Sequence, residues 1–314
     1  MKLSNNTLQK LVKGAVRFET ENGYLVAHRL TEAQLEHLER TKDFYFDRGH
    51  HSAGMRIELK TDASKISFDY KFAYAASHSS LDLYVNGVLH TIMHTQDMGS
   101  KGKAVFTLPE GKKLVTVYLP IDQQFLIKNF RIEGKYESVK SSAPRVLWIG
   151  DSITQGFGAF LTSYTYQNVV SRLLKYDSVN QGIGGYHYDC EYVPVFDGYK
   201  PDKIIVALGT NGYQSSESIE KIAPFYKRLH EVYPDTPVLS ITPLWRPDMQ
   251  KKEPMLALSA TIKKESEKYG YLSVDGFTLI ENVKEFFHDT VHPNIMGMQL
   301  YGRNLADVIK RLKF

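Results

Sequence analysis

Cysteine is almost absent: Cys190 is the only one in 314 residues. One thiol closes no internal disulfide and builds no cysteine-based zinc site; a buried or partly buried thiol is expected. Long apolar runs are missing as well. No stretch approaches the roughly 20 residues needed to cross a bilayer. The opening segment, MKLSNNTLQKLVKGAVRFETENG, has no apolar stretch of the secretory-signal kind. A cytoplasmic protein without a membrane partner is therefore expected. Dense runs of Lys or Arg are lacking too. The 39 basic and 35 acidic side chains leave a formal charge of +4, which suggests a mixed-sign solvated surface and no nucleic-acid partner. Internal repeats and low-complexity tracts are not found, and nothing in the composition speaks to oligomeric state. What is present, 42% hydrophobic and 24% charged residues, suits an ordinary globular chain long enough for two domains.

Two rhythms divide the chain. The first ~140 residues read mostly as β. Ile66, Phe68, Tyr70, Phe72 and Tyr74 alternate with Ser67, Asp69, Lys71 and Ala73, so one face should be buried. Leu81 to Val85 runs into Asn86-Gly87, a pair that favours a type I′ hairpin because both residues accept positive φ. Leu114 to Leu119 and Phe125 to Ile132 add strands, and Thr31 to Gln34 has capping-box spacing before a helix carrying Leu35 and Leu38. Many short strands with turn signals predict an all-β sandwich, jelly-roll-like, over residues 1–140. The polar segment Lys135 to Pro144, with Ser138, Ser141 and Ser142, places the boundary, and residues 141–314 form the second domain. There, apolar runs at 145–149, 203–208, 237–242 and 271–275 alternate with helical spacing over 164–176, 219–229 and 256–269. A last helix begins near Asn294. This is the pattern of an α/β domain with a parallel sheet covered on both faces.

In such sheets ligands sit beyond the carboxyl ends of the strands. Four segments lie there or just before the last helix: Gly150-Asp151-Ser152-Ile153-Thr154, Asn180-Gln181-Gly182, Gly209-Thr210-Asn211-Gly212 and Asp289-Thr290-Val291-His292. Together they bring the parts needed for acyl transfer. A serine hydroxyl is a weak nucleophile until a base takes its proton. His292 is the expected base, and Asp289 the carboxylate that orients and stabilises its imidazolium. A tetrahedral intermediate needs preorganised donors: the amides of Ser152 and Gly182 and the carboxamide of Asn211 are expected to form that oxyanion hole. Asp151 reads as a hydrogen-bonding residue of the turn, and Gly184-Gly185 as residues that shape the loop.

These four segments, in this order, resemble the blocks of the SGNH (GDSL) hydrolases over roughly residues 144 to 314. The resemblance implies a flavodoxin-like three-layer fold, neither metal nor organic cofactor, and esterase chemistry. It leaves two options for the third member, Asp289 or a backbone carbonyl supporting a Ser–His pair. Gly212 departs from the family pattern, which has Asp there. Thr154 stands where a Gly-x-Ser-x-Gly elbow would need its second glycine, which argues against the ordinary α/β-hydrolase fold.

A sandwich ahead of such a domain resembles the layout of carbohydrate esterases. The first expectation is thus a serine esterase for short acyl groups, most plausibly O-acetyl groups on a saccharide. The alternatives are a lysophospholipase or thioesterase, and a non-catalytic carbohydrate-binding protein. Trp245, Tyr186 and His187 are expected to line the substrate pocket, although packing accounts for Trp245 equally well. His50, His51, His78, His90 and His94 show no metal-ligand spacing and are expected to be core or surface residues.

Overall fold

The computed structural model describes residues 1–140 and 142–314. Ser141, one of the serines that places the boundary, lies outside the described residues. Two antiparallel sheets occupy the first part of the chain. One orders the strands Val12–Lys13, Arg56–Thr61, Lys113–Tyr118, Ser80–Val85 and Val88–His94, with Tyr136–Ser138 added against Arg56–Thr61. The other orders Arg17–Glu21, Tyr24–His28, Gln124–Ile132, Lys65–Ala73 and Lys101–Thr107. Their facing side chains make one core: Ile57, Leu59, Leu81, Leu83, Val115 and Val117 meet Ile66, Phe68, Phe106, Phe125 and Phe130. Asn86 and Gly87, at φ 49° and 81°, turn the expected hairpin.

Two expectations need correction. Alternation predicts Tyr74 as the fifth inward residue, but the strand ends at Ala73. Tyr74 flips to φ 49° and lies 40% exposed. The polar segment is also shorter than predicted, because Tyr136–Ser138 pairs as an edge strand with residues 59–61.

From residue 145 onward five parallel strands, β1 (Arg145–Gly150), β2 (Asp177–Gly182), β3 (Lys203–Ala207), β4 (Val238–Ile241) and β5 (Leu272–Val274), lie in the order 2-1-3-4-5. Both faces are apolar, so both are covered. Val146, Trp148 and Ile205 pack with Tyr166, Val170, Met298, Tyr301 and Leu305. Leu147, Ile149, Ile204 and Val206 pack with Phe225, Leu229, Leu258 and Ile262. The result is a three-layer α/β domain of the flavodoxin-like order, with its switch point beside β1.

The helices Glu32–Thr41 (α1) and Asp43–Gly49 (α2) lie in the β-rich part of the sequence but pack elsewhere. Leu30, Leu35 and Leu38 join the core around Leu147, Ile149 and Val179. The capping box is formed: Gln34 N–H donates to Thr31 Oγ1 at 3.2 Å, and Thr31 N–H donates to Gln34 Oε1 at 3.0 Å. The Gln34 amide also donates to Gln181 Oε1 and the Tyr192 carbonyl. A helical excursion of the first part thus seals one face of the second. No helix among the described residues is long and apolar enough to cross a membrane.

Candidate active site

The apolar run of β1 buries it at the sheet centre, and the chain emerges at Asp151. The Asp151 carboxylate accepts the Ile153 N–H at 3.0 Å and so caps the short helix α3 (Ser152–Gln155). It also accepts the Thr210 N–H, which ties this turn to the loop after β3. Burial pushes its carboxyl up to about 7, against the pull of those two N–H groups and Arg246. Ser152 is therefore the first residue of a helix, held at the switch point.

Its Oγ lies 2.8 Å from His292 Nε2. The histidine is presented by the loop entering α4, the helix Ile295–Leu312, which Asn294 caps by accepting the N–H groups of Met296 and Gly297. Asp289 fixes the same loop. Its Oδ1 accepts the N–H groups of Val291 and His292 at 2.7 Å each, and its Oδ2 lies 2.8 Å from His292 Nδ1. With Nδ1–H donating to the carboxylate, Nε2 keeps the lone pair that faces Ser152. Burial alone would raise the Asp289 carboxyl. The N–H and ring of His292 and the N–H of Val291 outweigh that and hold it below the usual range. Phe157, which the sequence reading missed, packs its ring edge-on against His292 at 4.6 Å between centroids.

The expected oxyanion donors separate into two groups. The Ser152 N–H has no partner among the described residues. Asn211 Nδ2 donates one hydrogen to the Tyr186 carbonyl at 3.1 Å, which orients the carboxamide and leaves its second hydrogen free. Gly182 is different. Its N–H already donates to Asn180 Oδ1 at 2.9 Å, and its Cα packs against the backbone of α3. The structure therefore contradicts Gly182 as a donor to substrate. The Gly184 N–H is likewise taken by Gln155 Oε1 at 2.8 Å. Gly185, half-exposed on the same loop, has an N–H with no partner among the described residues.

The predicted pocket residues fall into different roles. Tyr186 is buried, with its hydroxyl donating to Asp189 Oδ2 at 2.8 Å and its ring against Tyr45 and Tyr192. It is a strut that supports Asn211 through its carbonyl and does not line an open pocket. His187 is half-exposed, and its ring lies 3.0 Å from where a Cβ on Gly212 would sit. Gly212 has φ 67°, a conformation that favours glycine, and Ser218 Oγ occupies the rest of that space. A side chain at position 212, such as the Asp of the pattern that the sequence resembles, would therefore be opposed both by φ and by its neighbours. Trp245 is half-buried and packs edge-on against Phe287, with 5.4 Å between ring centroids. Next to it, Arg246 donates to the Thr210 carbonyl and to both oxygens of Asp248, whose N–H reaches the Thr290 carbonyl. That loop braces the Asn211 and His292 loops against each other. Cys190 is a half-buried free thiol.

The sequence reading also missed a set of side chains from the first part of the chain. His51 Nδ1 accepts from Gln155 Nε2 at 3.0 Å, while its Nε2 donates to the Tyr74 carbonyl at 2.6 Å. Gln155 also donates to Asp122 Oδ1, whose other oxygen accepts from Ser77. Burial lowers His51 to about 3 and raises Asp122. Arg29, fully buried, donates to the carbonyls of His51, Arg48, Asn180 and Gly182. His50 stacks on Tyr74, whereas His78, His90 and His94 are exposed. Among the described residues no three His, Cys, Asp or Glu side chains converge as metal ligands do.

Residues 148–300 match the family described as GDSL-like lipase/acylhydrolase. No curated protein matches the chain in sequence. Solved structures resemble it over both parts. A GDSL-like lipase candidate from Bacteroides ovatus ATCC 8483 is 18% identical, with a TM-score of 0.80 over 100% of this chain and 98% of that one. The salicylyl-acyltransferase SsfX3 from a tetracycline biosynthetic pathway is 19% identical, TM-score 0.78, over 96% and 94%. An acetyl xylan esterase from the rumen bacterium Butyrivibrio proteoclasticus is 15% identical, TM-score 0.69, over 100% and 98%.

Proposed function

We propose that the protein is a serine esterase removing short acyl groups, foremost O-acetyl groups, from a saccharide, a reading supported by the match of residues 148–300 to the GDSL-like lipase/acylhydrolase family. The observation that carries the reading is the relay Ser152 Oγ, His292 Nε2, His292 Nδ1, Asp289 Oδ2, with 2.8 Å at each hydrogen bond.

In this mechanism Ser152 Oγ attacks the ester carbonyl as His292 Nε2 takes its proton. Asp289 stabilises the imidazolium through Nδ1–H. The oxyanion of the tetrahedral intermediate meets the Ser152 N–H and the free hydrogen of the Asn211 carboxamide. We assign the third donor to the Gly185 N–H in place of Gly182, because the N–H groups of Gly182, Ile183 and Gly184 are engaged whereas that of Gly185 has no partner among the described residues. Collapse expels the alcohol with the proton from His292. Water, deprotonated by the same imidazole, then releases the acid.

The saccharide assignment draws support from the likeness of the whole chain to an acetyl xylan esterase. It is also consistent with the exposed rings of Phe44 and Tyr74, which belong to segments packed near α3. The test is release of free acetate from a panel of acetylated oligosaccharides, with 4-nitrophenyl esters of rising chain length alongside. Acetate release and a steep fall beyond short chains are expected. Preference for octanoyl esters would favour the lipid reading. Saccharide affinity with no ester cleavage would make the protein a binding module.

A further inference from the structure

The loop after β2 does more than carry amides, because an arginine from the first part of the chain lies on it. Arg48 is in α2, and its backbone is tied to the end of β2. Arg29 donates to the Arg48 carbonyl at 2.6 Å through Nη2 and to the Asn180 and Gly182 carbonyls through Nη1. One turn earlier in α2, Tyr45 Oη donates to the Gly185 carbonyl at 3.1 Å. The side chain is held as well. Its Cζ lies 3.6 Å from the centroid of the Phe44 ring. Its stem lies on Gly184, where a Cβ would come within 2.5 Å of Nε and 2.7 Å of Cδ. Glycine at 184 is thus a condition of this placement.

Beyond its contact with the Phe44 ring, the guanidinium held in this way has no polar partner among the described residues. Among the described residues it makes no hydrogen bond and no ion pair, and none of its nitrogens is a buried orphan, so all three reach solvent. Asp122 and Asp47 both act on its charge, but neither pairs with it, and both Asp122 oxygens are engaged by Ser77 and Gln155. Gly184, under the Arg48 stem, donates its N–H to Gln155 Oε1 of α3 at 2.8 Å, which places Arg48 on the loop that faces the helix bearing Ser152. A planar, preoriented guanidinium that lies on the loop facing α3 and makes no hydrogen bond or ion pair is a receptor for a carboxylate, whose two oxygens match its fork.

We propose that Arg48 binds a carboxylate carried by the ester substrate, so that the enzyme prefers acidic esters to neutral ones. This rests on the esterase reading and adds to it a substrate class. The carboxylate is on either the alcohol or the acyl half, and the experiment separates the two.

The test compares kcat/KM for phenyl acetate, 4-carboxyphenyl acetate and monophenyl succinate, in the wild type and in Arg48→Met and Arg48→Lys. The wild type is expected to favour one acidic ester over phenyl acetate. Arg48→Met is expected to lower that preference about tenfold, the scale of a charged hydrogen-bonded pair, mainly through KM. Arg48→Lys should recover only part of it. The acidic ester that is affected identifies the half that bears the charge. A preference ratio unchanged by Arg48→Met for both acidic esters overturns the proposal. If Arg48→Met fails to fold, Arg48→Gln is read the same way. If the wild type cleaves none of the three esters, the esterase reading falls. Arg48 is then judged by benzoate binding: about tenfold weaker binding to Arg48→Met supports the carboxylate site, and equal binding overturns it.

Discussion

Replacing Arg29 by Met tests how the two parts of the chain act as one. Arg29 is fully buried and makes no ion pair among the described residues; its four hydrogen bonds all end on backbone carbonyls, at 2.8 Å to His51, 2.6 Å to Arg48, 2.9 Å to Asn180 and 2.8 Å to Gly182. Burial lowers its pKa from 12.5 to about 10, a cost to the cation of about 3 kcal/mol. Charge-assisted hydrogen bonds contribute roughly 1.5–3 kcal/mol each, so four of them offset that cost with margin. Methionine fills much of the volume but takes the charged donor from four carbonyls, of which only that of Arg48 is shown with another donor, the His51 N–H at 3.2 Å. A net loss of about 3–5 kcal/mol is expected, as when one side of a buried charged network is removed. Catalysis should suffer too, because two of the carbonyls belong to the strand end that carries the Gly182–Gly185 loop, and the others anchor α2. The assay is urea unfolding at neutral pH with kcat for 4-nitrophenyl acetate measured under native conditions. A loss below about 1 kcal/mol with unchanged kcat would refute the idea that Arg29 joins the two parts at the active site.

Other expectations follow from single residues. Asn211→Ala should cut kcat by about 10² to 10³ with a smaller effect on KM, read by steady-state kinetics on 4-nitrophenyl acetate; a loss confined to KM would remove Asn211 from the oxyanion hole. Asp289→Asn should depress kcat strongly because the imidazole loses its anionic partner, and a loss far smaller than that of His292→Ala would show that the carboxylate is dispensable. His51 has a folded pKa of about 3, below its ordinary 6.5. The unfolded chain therefore binds the extra proton first, and stability is present above pH 6.5 and lost as the pH falls toward 3. His51→Gln should give a shallower fall in urea midpoint between pH 7 and 4.5, and an unchanged slope would contradict this. Gly212→Asp, which restores the residue of the family pattern, should cost about 1–2 kcal/mol, because φ 67° and the Ser218 and His187 side chains oppose a Cβ there. A gain in thermal midpoint would contradict that steric account.

Much of the candidate site's geometry was legible because its residues stand at strand ends in a fixed order. Ser152, Asn211 and His292 follow from a serine after an apolar run, an asparagine after another, and a histidine before the last helix. The register of donors was not legible. Asn-Gln-Gly shows that a glycine follows the strand, but not that the Asn180 side chain consumes the Gly182 N–H and leaves Gly185 free. Alternation carried the strand prediction one residue too far, to Tyr74, because the pattern cannot register that His51 holds the Tyr74 carbonyl and turns the chain. Residues such as Arg29, Arg48, His51 and Asp122 left no local signal, because their partners lie in another part of the chain. Tyr186 was placed in the pocket by proximity to the glycines, whereas Asp189 and Tyr45 draw its ring into the core.

The central claim is that Ser152 is acylated during turnover, and mass spectrometry of acid-quenched enzyme mixed with 4-nitrophenyl acetate tests it most directly. An acetyl adduct on the peptide bearing Ser152, formed in a burst and absent from Ser152→Ala, is the predicted result. An adduct mapped elsewhere, or wild-type turnover by a folded Ser152→Ala variant, would contradict the account.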